Sequence, residues 1–585
     1  MKPQLNQHYH LLVTENKKRL KFLFSFTFLV IINALSYGQV AFTAIPLDSE
    51  LVARDLKTNL GSIHIQGKVN NLNTPFDSIA LRIYRDNTLI RSMYEGLTYT
   101  GNMASFDFLC QIPAELNEYK ISVYGIKQSV PTPVRSVNAL LAGDVYMIEG
   151  QSNAFAMMRD GESANENRSE FIRVFGNSDS NTNGLLKNLK WFMAQANGGI
   201  KENGHVGQWG LRLGRLLVDN VKIPVAIFNG ACGGTPISYY EVPANYRDNY
   251  KSNYVREYDR LRLAGLEKNV RAIIWSQGET DALYGTTTAK YITAFESMLK
   301  TWSIDYPGPK KIYIFQTRTE NMYPIDRLMA IEEAQRKLAV KHDSDIEIIP
   351  TSTLKQDKSV LHFDYKGGYE IFGNRIYDLI ARDMYGIKPK GEIDAPMITS
   401  AYLNDSATLV ITERANSIIP HNPKLPVQDY IVENTKGATI DTIITKGNKI
   451  IFLLSKYPGK NITASCLSQY KHADNWLTNT SGIEVIPFYK YPVKDSIPKQ
   501  TLGSRNYSYV KICHKLFQKT PTVFVNTHGK HFLRISESKR KKPQWIVFTG
   551  KQCKLDTRSM SKGSYSIRVF DDEMRMLGNT SIMIQ

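Results

Sequence analysis

The sequence predicts an α/β protein: a central parallel sheet with helices on both faces, flanked by N-terminal and C-terminal all-β domains. Three observations carry this. Between Ala142 and about Tyr385, five apolar strand candidates alternate with amphipathic helical patterns, the rhythm of a parallel sheet covered on both sides. From about Ile45 to Leu140 apolar residues alternate at period two, and beyond Pro389 short strand patterns return, as in antiparallel sheets with one wet face. At 585 residues the chain is also too long for a single core.

At the N-terminus, Lys17-Lys18-Arg19-Leu20-Lys21 precedes an apolar run from Phe22 to Leu35, broken only by Ser25, Thr27 and Asn33, and then Ser36-Tyr37-Gly38-Gln39. A basic segment, a short apolar core and small residues before a glutamine read as a signal peptide over residues 1–38 with a long leader. The run is shorter than the roughly 20 residues of a membrane-spanning helix. Cleavage near Gly38 is therefore expected, with no stable span afterwards and a secreted or cell-surface location.

A β domain over 45–140 follows, with the period-two runs Ile63–Val69, Ile79–Tyr84 and Tyr119–Tyr124 and no residues suggestive of catalysis. In the domain over 141–388 the strand candidates are Asp144–Glu149, Pro224–Phe228, Ala272–Trp275, Ile312–Gln316 and Ile346–Pro350. The helical patterns are Gly207–Asp219, Tyr254–Ala264, Thr288–Trp302, Pro324–Lys341 and Gly368–Met384. Residues 390–495 read as a β-sandwich, and 505–585 as a further β module beyond a Pro/Gly-containing linker.

Composition narrows the function. The net charge of +18 is concentrated in Thr501–Gln585, where 16 Lys/Arg meet 5 Asp/Glu. Without an aromatic–basic RNA motif or zinc-finger spacing this is a solvated basic module, and no nucleic-acid partner is expected. Five scattered cysteines with no CxxC pair support neither a zinc site nor a disulfide framework; a Cys513–Cys553 bridge is the first candidate pairing. No metal-ligand cluster or phosphate loop stands out, and no cofactor is expected.

In a parallel sheet the site lies beyond the carboxyl ends of the strands. Four loops there carry unusual residues: Gly150-Gln151-Ser152-Asn153, Asn229-Gly-Ala-Cys-Gly-Gly-Thr-Pro-Ile237, Trp275-Ser-Gln-Gly-Glu-Thr-Asp281 and Val360-Leu-His-Phe363. A serine on a strand–turn–helix edge is a candidate nucleophile when a base and oxyanion donors arrive from elsewhere. Adjacent glycines let backbone approach a ligand, a strand-end glutamine is a neutral donor, and His362 is the candidate base. Trp191, Trp209, Tyr239 and Tyr240 are candidates for sugar stacking or for plain packing. Arg375 reads as a structural hydrogen-bonder, and Asp144 lies at the wrong end of its strand for chemistry.

Taken together and in this order, the four blocks resemble the SGNH hydrolases. They are most similar to the sialate O-acetylesterase and acetylxylan esterase branch, in which Gly-Gln-Ser-Asn replaces Gly-Asp-Ser and the third block is Gln-Gly-Glu. The resemblance spans about Leu141 to Tyr385 and implies a flavodoxin-like sheet and a metal-free secreted carbohydrate O-acetylesterase acting on an acetylated glycan. It implies Ser152 as nucleophile, His362 as general base, and an oxyanion hole from the N–H groups of Ser152 and Gly233 and the side chain of Gln277. Gln151, Asn153 and Thr235 are the candidate substrate-binding residues.

One departure stands out. The family's last block is Asp-x-x-His, but here Ser359 occupies the aspartate position. A third group normally fixes the imidazole tautomer. Asp357, Asp364, Glu279 and Asp281 are candidates, with Glu279 slightly ahead because its loop shares the rim; support from a hydroxyl or backbone carbonyl alone is also open. Two rival readings remain: a glycan-binding protein on a weakened or inactive esterase scaffold, and a lipid or thioester hydrolase. The tail, with Leu533-Arg-Ile-Ser, Trp545-Ile-Val-Phe and Met560-Ser-Lys-Gly-Ser-Tyr, resembles a type IX secretion sorting domain. That implies export machinery as a partner; a β adhesion or substrate-binding module is the alternative.

Overall fold

The computed structural model describes residues 36–494 and 510–584, apart from 38, 71–74, 160, 178–186, 198–202, 243–251, 310, 319–323, 406, 421–428, 468–475, 514–521, 526–527, 538–542, 573 and 575. The apolar leader run thus lies outside the described residues. Among the described residues, no helix is long and apolar enough to cross a membrane.

The central sheet is built from β1 (Val130–Gly150), β2 (Ile172–Asn177), β3 (Lys187–Met193), β4 (Val225–Asn229), β5 (Val270–Ser276), β6 (Lys311–Phe315) and β7 (Ile346–Ile349), in the spatial order β3-β2-β4-β1-β5-β6-β7. Every neighbouring pair is parallel except the edge pair β2 and β3. Successive residues of each strand face opposite sides, and each side finds an apolar partner. Val145, Met147, Ile273 and Trp275 join Tyr291, Phe295 and Leu338 in one core, whereas Tyr146, Ile148, Ala272 and Ile274 join Trp209, Leu213, Phe372 and Ile376 in the other. Among the described residues, seven α-helices serve this domain: α1 (Ser152–Phe155), α2 (Gln208–Val221), α3 (Asn253–Leu263), α4 (Glu279–Tyr284), α5 (Thr288–Asp305), α6 (Ile325–Lys341) and α7 (Glu370–Tyr385).

The five expected strands are present, and the sheet has two more. β3 is a polar edge carrying Lys187, Asn188 and Lys190, and β2 was hidden among the polar residues around it. β1 is longer than expected. Its first half pairs with Tyr119–Lys127 in the N-terminal domain and its second half with β4 and β5, so one strand threads both sheets.

The N-terminal domain packs two antiparallel sheets around Ile63, Ile79, Phe106 and Ile121. Its Met103–Pro113 strand alternates exposed and buried residues down its length. Beyond α7, two sheets enclose Leu409, Ile411, Phe452 and Phe488. The last module has its own core of Val523, Leu533 and Ile567. Cys553, expected to pair with Cys513, is instead a buried free thiol. Trp191, Trp209 and Tyr240 are core residues, at most 6 % exposed, and present no stacking surface. Arg375 is structural, as expected: its guanidinium pairs with Glu484 of the sandwich at 2.7 Å and bonds the Pro350 carbonyl. Asp144 anchors Arg54 and Arg271 at the opposite end of the sheet.

Candidate active site

Because β1 lies between β4 and β5, the loops after these three strands converge. Gly150 makes the first turn: its φ is +132°, and a Cβ there would sit 2.1 Å from the Ser276 carbonyl oxygen, so only glycine fits. The chain then enters the single-turn helix α1 at Ser152. Ser152 is half-buried, while Gln151 and Asn153 on either side are fully buried. Exposed Gly233 stands beside the serine, its built Cβ 3.8 Å from the Ser152 Cβ. Among the described residues, no acceptor takes the backbone N–H of Ser152 or of Gly233. Ser152, at the start of α1, has no intrahelical partner for its N–H, and the unengaged N–H of Gly233 lies on the neighbouring loop.

His362 reaches this rim from the loop after β7. The Asn153 side chain joins the two segments, its Nδ2 donating to the Leu361 carbonyl at 3.1 Å and to Glu279 Oε1 at 2.6 Å. Its Oδ1 accepts from the Tyr369 hydroxyl at 2.8 Å, and Trp209 Nε1 holds its backbone carbonyl. Ser152 and His362 are thus each adjacent in sequence to one end of a single hydrogen bond.

The four candidate acids make different contacts. Asp281 accepts from Gln277 Nε2 at 2.6 Å, from the Ile237 N–H at 2.7 Å and from the Thr286 hydroxyl at 2.9 Å. Asp364 pairs with Lys355. Glu279, expected to lead, holds Asn153 instead, and burial pushes its carboxyl up to about 7, a poor state for a counter-ion to imidazolium. Asp357 stands beside His362. Its Oδ2 lies 4.0 Å from Nδ1, and the Ser359 hydroxyl, 3.3 Å from Nδ1, lies between them. Burial first, then the charge of Arg159, lower the imidazole to about 4, with Asp357 opposing both. Arg159 lies 3.9 Å from Asp357; a lone arginine six residues beyond the motif gave no sequence signal.

Two other expectations are corrected. Gln277 does not offer its amide to the rim. It is 1 % exposed, and its two N–H groups face three internal acceptors: Asp281 at 2.6 Å, the Thr235 carbonyl at 3.2 Å and Gln151 Oε1 at 3.3 Å. Tyr291 donates to its Oε1, which fixes the amide orientation. The candidate substrate-binding residues are likewise turned inward. Gln151 Oε1 accepts from the N–H groups of Gly278 and Thr280, Asn153 is engaged as above, and the Thr235 hydroxyl bonds the Cys232 carbonyl at 2.7 Å. Burying these amides without partners would cost about 1–3 kcal/mol each, so they bind one another. Tyr240, a stacking or packing candidate from the sequence, completes this lattice by bonding the Thr235 hydroxyl and the Gly150 carbonyl; Tyr369 escaped the sequence reading because it lies 216 residues along the chain from Asn153, which it holds.

Residues 142–381 match the family model described as SASA, carbohydrate esterase, sialic acid-specific acetylesterase. Among solved structures, a carbohydrate acetylesterase from Xanthomonas citri is similar at 18 % identity and a TM-score of 0.53, over 76 % of this chain and 99 % of that one. A protein from Arabidopsis thaliana is similar at 16 % identity and a TM-score of 0.33, over 41 % of this chain and 98 % of the other. A family two carbohydrate esterase from Clostridium thermocellum, in complex with cellohexaose, has 10 % identity and a TM-score of 0.24, over 57 % and 97 %. No curated protein matches the sequence. The match over residues 142–381, less than half of the chain, is to a carbohydrate esterase family and supports the protein's being a carboxylic ester hydrolase.

Proposed function

We propose that this protein is a secreted carbohydrate O-acetylesterase that removes acetyl groups from glycans through an acyl-serine intermediate. The observation that carries the reading is the half-buried Ser152 beside Gly233, with two unengaged N–H groups and His362 tied to the same rim through Asn153. The Ser152 hydroxyl gives its proton to His362 as its oxygen bonds the acetyl carbon. The N–H groups of Ser152 and Gly233 receive the oxyanion, and the imidazolium returns the proton to the departing sugar hydroxyl. Water repeats the sequence to release acetate. At neutral pH an imidazole lowered to about 4 is unprotonated, as the base must be.

The sheet order, with β1 flanked by β4 and β5 and helices on both faces, supports a flavodoxin-like SGNH assignment. The basic–apolar leader up to Gly38 supports export, and the C-terminal module, a compact set of strands ending in Gly563–Phe570 and Met576–Ile584, supports a sorting or adhesion role. Acetate release from an activated acetyl ester, acetylated xylan and O-acetylated sialic acid tests the reading. Wild type is expected to turn over at least one of them, with Ser152→Ala and His362→Ala inactive. Equal release by the mutants would overturn the mechanism, and the preferred substrate identifies the glycan.

A further inference from the structure

We propose that Ser359 is a positioning residue through which Asp357 acts on His362, so that a carboxylate–hydroxyl–imidazole relay replaces the direct carboxylate–imidazole pair. The inference rests on the serine-esterase reading above. Asp357 Oδ1 accepts from the Ser359 N–H at 2.9 Å and from the Ser359 hydroxyl at 2.5 Å. The hydroxyl proton is thereby committed to the carboxylate, and a lone pair of the same oxygen is left for His362 Nδ1, 3.3 Å away. Nδ1 then carries the ring proton and Nε2 keeps the lone pair that Ser152 needs. The direct path is too long for a hydrogen bond, with Asp357 Oδ2 4.0 Å from Nδ1.

The loop is built to hold this geometry. The Asp357 N–H bonds the His362 carbonyl at 2.9 Å, the Val360 N–H bonds the Asp357 carbonyl at 3.0 Å, and Gln356 Nε2 holds the Val360 carbonyl. Val360 pays for the tight return with a φ of +51°, a left-handed conformation that a β-branched residue adopts only under constraint. The charged groups acting on His362 are Asp357 from its own loop and Arg159 from the segment after α1. Glu279 and the Tyr369 hydroxyl stand behind Asn153. During acylation one proton moves, from Ser152 Oγ to Nε2; it leaves on the sugar oxygen as the C–O bond breaks. The Nδ1 and Ser359 protons stay where they are, and each bond strengthens as imidazolium forms.

The test is acetate release by the full chain carrying Ser359→Ala, Ser359→Thr or Ser359→Asp, across pH. Ser359→Ala is expected to lower kcat about 10- to 100-fold with KM within about twofold. Ser359→Thr keeps the hydroxyl and restores most of kcat. Ser359→Asp, which puts a carboxylate directly beside the ring, moves the acid limb of kcat/KM up by about one pH unit. An unimpaired Ser359→Ala, or Ser359→Thr as poor as Ser359→Ala, overturns the relay. Ser152→Ala in the same assay separates the two failures: residual activity there removes the serine mechanism and the relay together, whereas an inactive Ser152→Ala beside an unimpaired Ser359→Ala removes the relay alone.

Discussion

The loops after β5 and β7 both face the same rim, yet they are built in opposite ways. In the β5 loop, Gln277, Glu279 and Asp281 are at most 3 % exposed, and the amide and two carboxylates are bonded to one another's neighbours. In the β7 loop, Ser359 is exposed, His362 is half-buried, and Val360 holds a strained backbone angle. The first loop is thus a closed frame, and the second carries the residues proposed to act. Polar residues that draw attention in a motif can be there to satisfy each other, since a buried polar network is stable only when complete.

Breaking the frame should have the largest effect on stability. Asp281→Ala strips an acceptor from Gln277, the Ile237 N–H and Thr286, and should destabilise the esterase domain by several kcal/mol, about 1–3 for each buried donor left unpaired. A urea titration followed by tryptophan fluorescence would read this, and a shift under 1 kcal/mol would refute the frame. Gln277→Ala comes next. As a frame residue it should cost about 1–3 kcal/mol of stability, while folded enzyme loses less than about tenfold in kcat. A loss of about 10²–10³ in kcat with unchanged stability would instead make it an oxyanion donor.

Effects of pH sharpen the contrast from the other side. His362 must be neutral to act, so kcat/KM should hold as pH falls from 7 and decline only near the value of about 4 set by burial and Arg159. Removing the cation in Arg159→Gln should move that limb upward; an unmoved limb would sever Arg159 from the base. For stability the sign follows from a lowered histidine. Between its ordinary value and about 4 the unfolded chain takes up the proton and the folded one does not. Acid in that window therefore costs stability, which returns as pH rises. Glu279, raised to about 7, runs the other way: its contribution is complete below the ordinary glutamate range and is lost as pH climbs through 7. The smallest effect is expected from Glu279→Gln, a neutral isostere that still accepts from Asn153. It should change stability by less than about 1 kcal/mol below pH 4.5, the ordinary glutamate value, and flatten the decline above it, as thermal melts across pH would show.

The order of elements was legible because period-two and helical spacings are local. Among the described residues, five of the seven central strands and the helices α2, α3, α5, α6 and α7 follow from them to within a few residues, except that β1 starts fourteen residues earlier than expected. β2 and β3 were not legible: β2 is a short buried strand, Ile172–Asn177, flanked by polar residues, and β3 mixes lysines with apolar residues, so neither gives a clean period-two run. Ser152 and His362 could be singled out because a serine after a strand and a histidine before a helix are visible as types. Which acid serves His362 could not: Asp357, Asp364, Glu279 and Asp281 are equivalent as letters, and their assignments depend on bonds across loops.

The sequence by itself determined the strand–helix rhythm, the glycine turn at Gly150 and the set of polar residues gathered at the strand ends, all of which follow from local spacing and backbone sterics. Only the tertiary structure decided which of those residues satisfy one another and which remain open to a substrate. A hydrogen bond has direction and a length limit near 3 Å, so whether Gln277 faces Asp281 or the rim is settled by where β5 lies against β1, and no spacing along the chain carries that information.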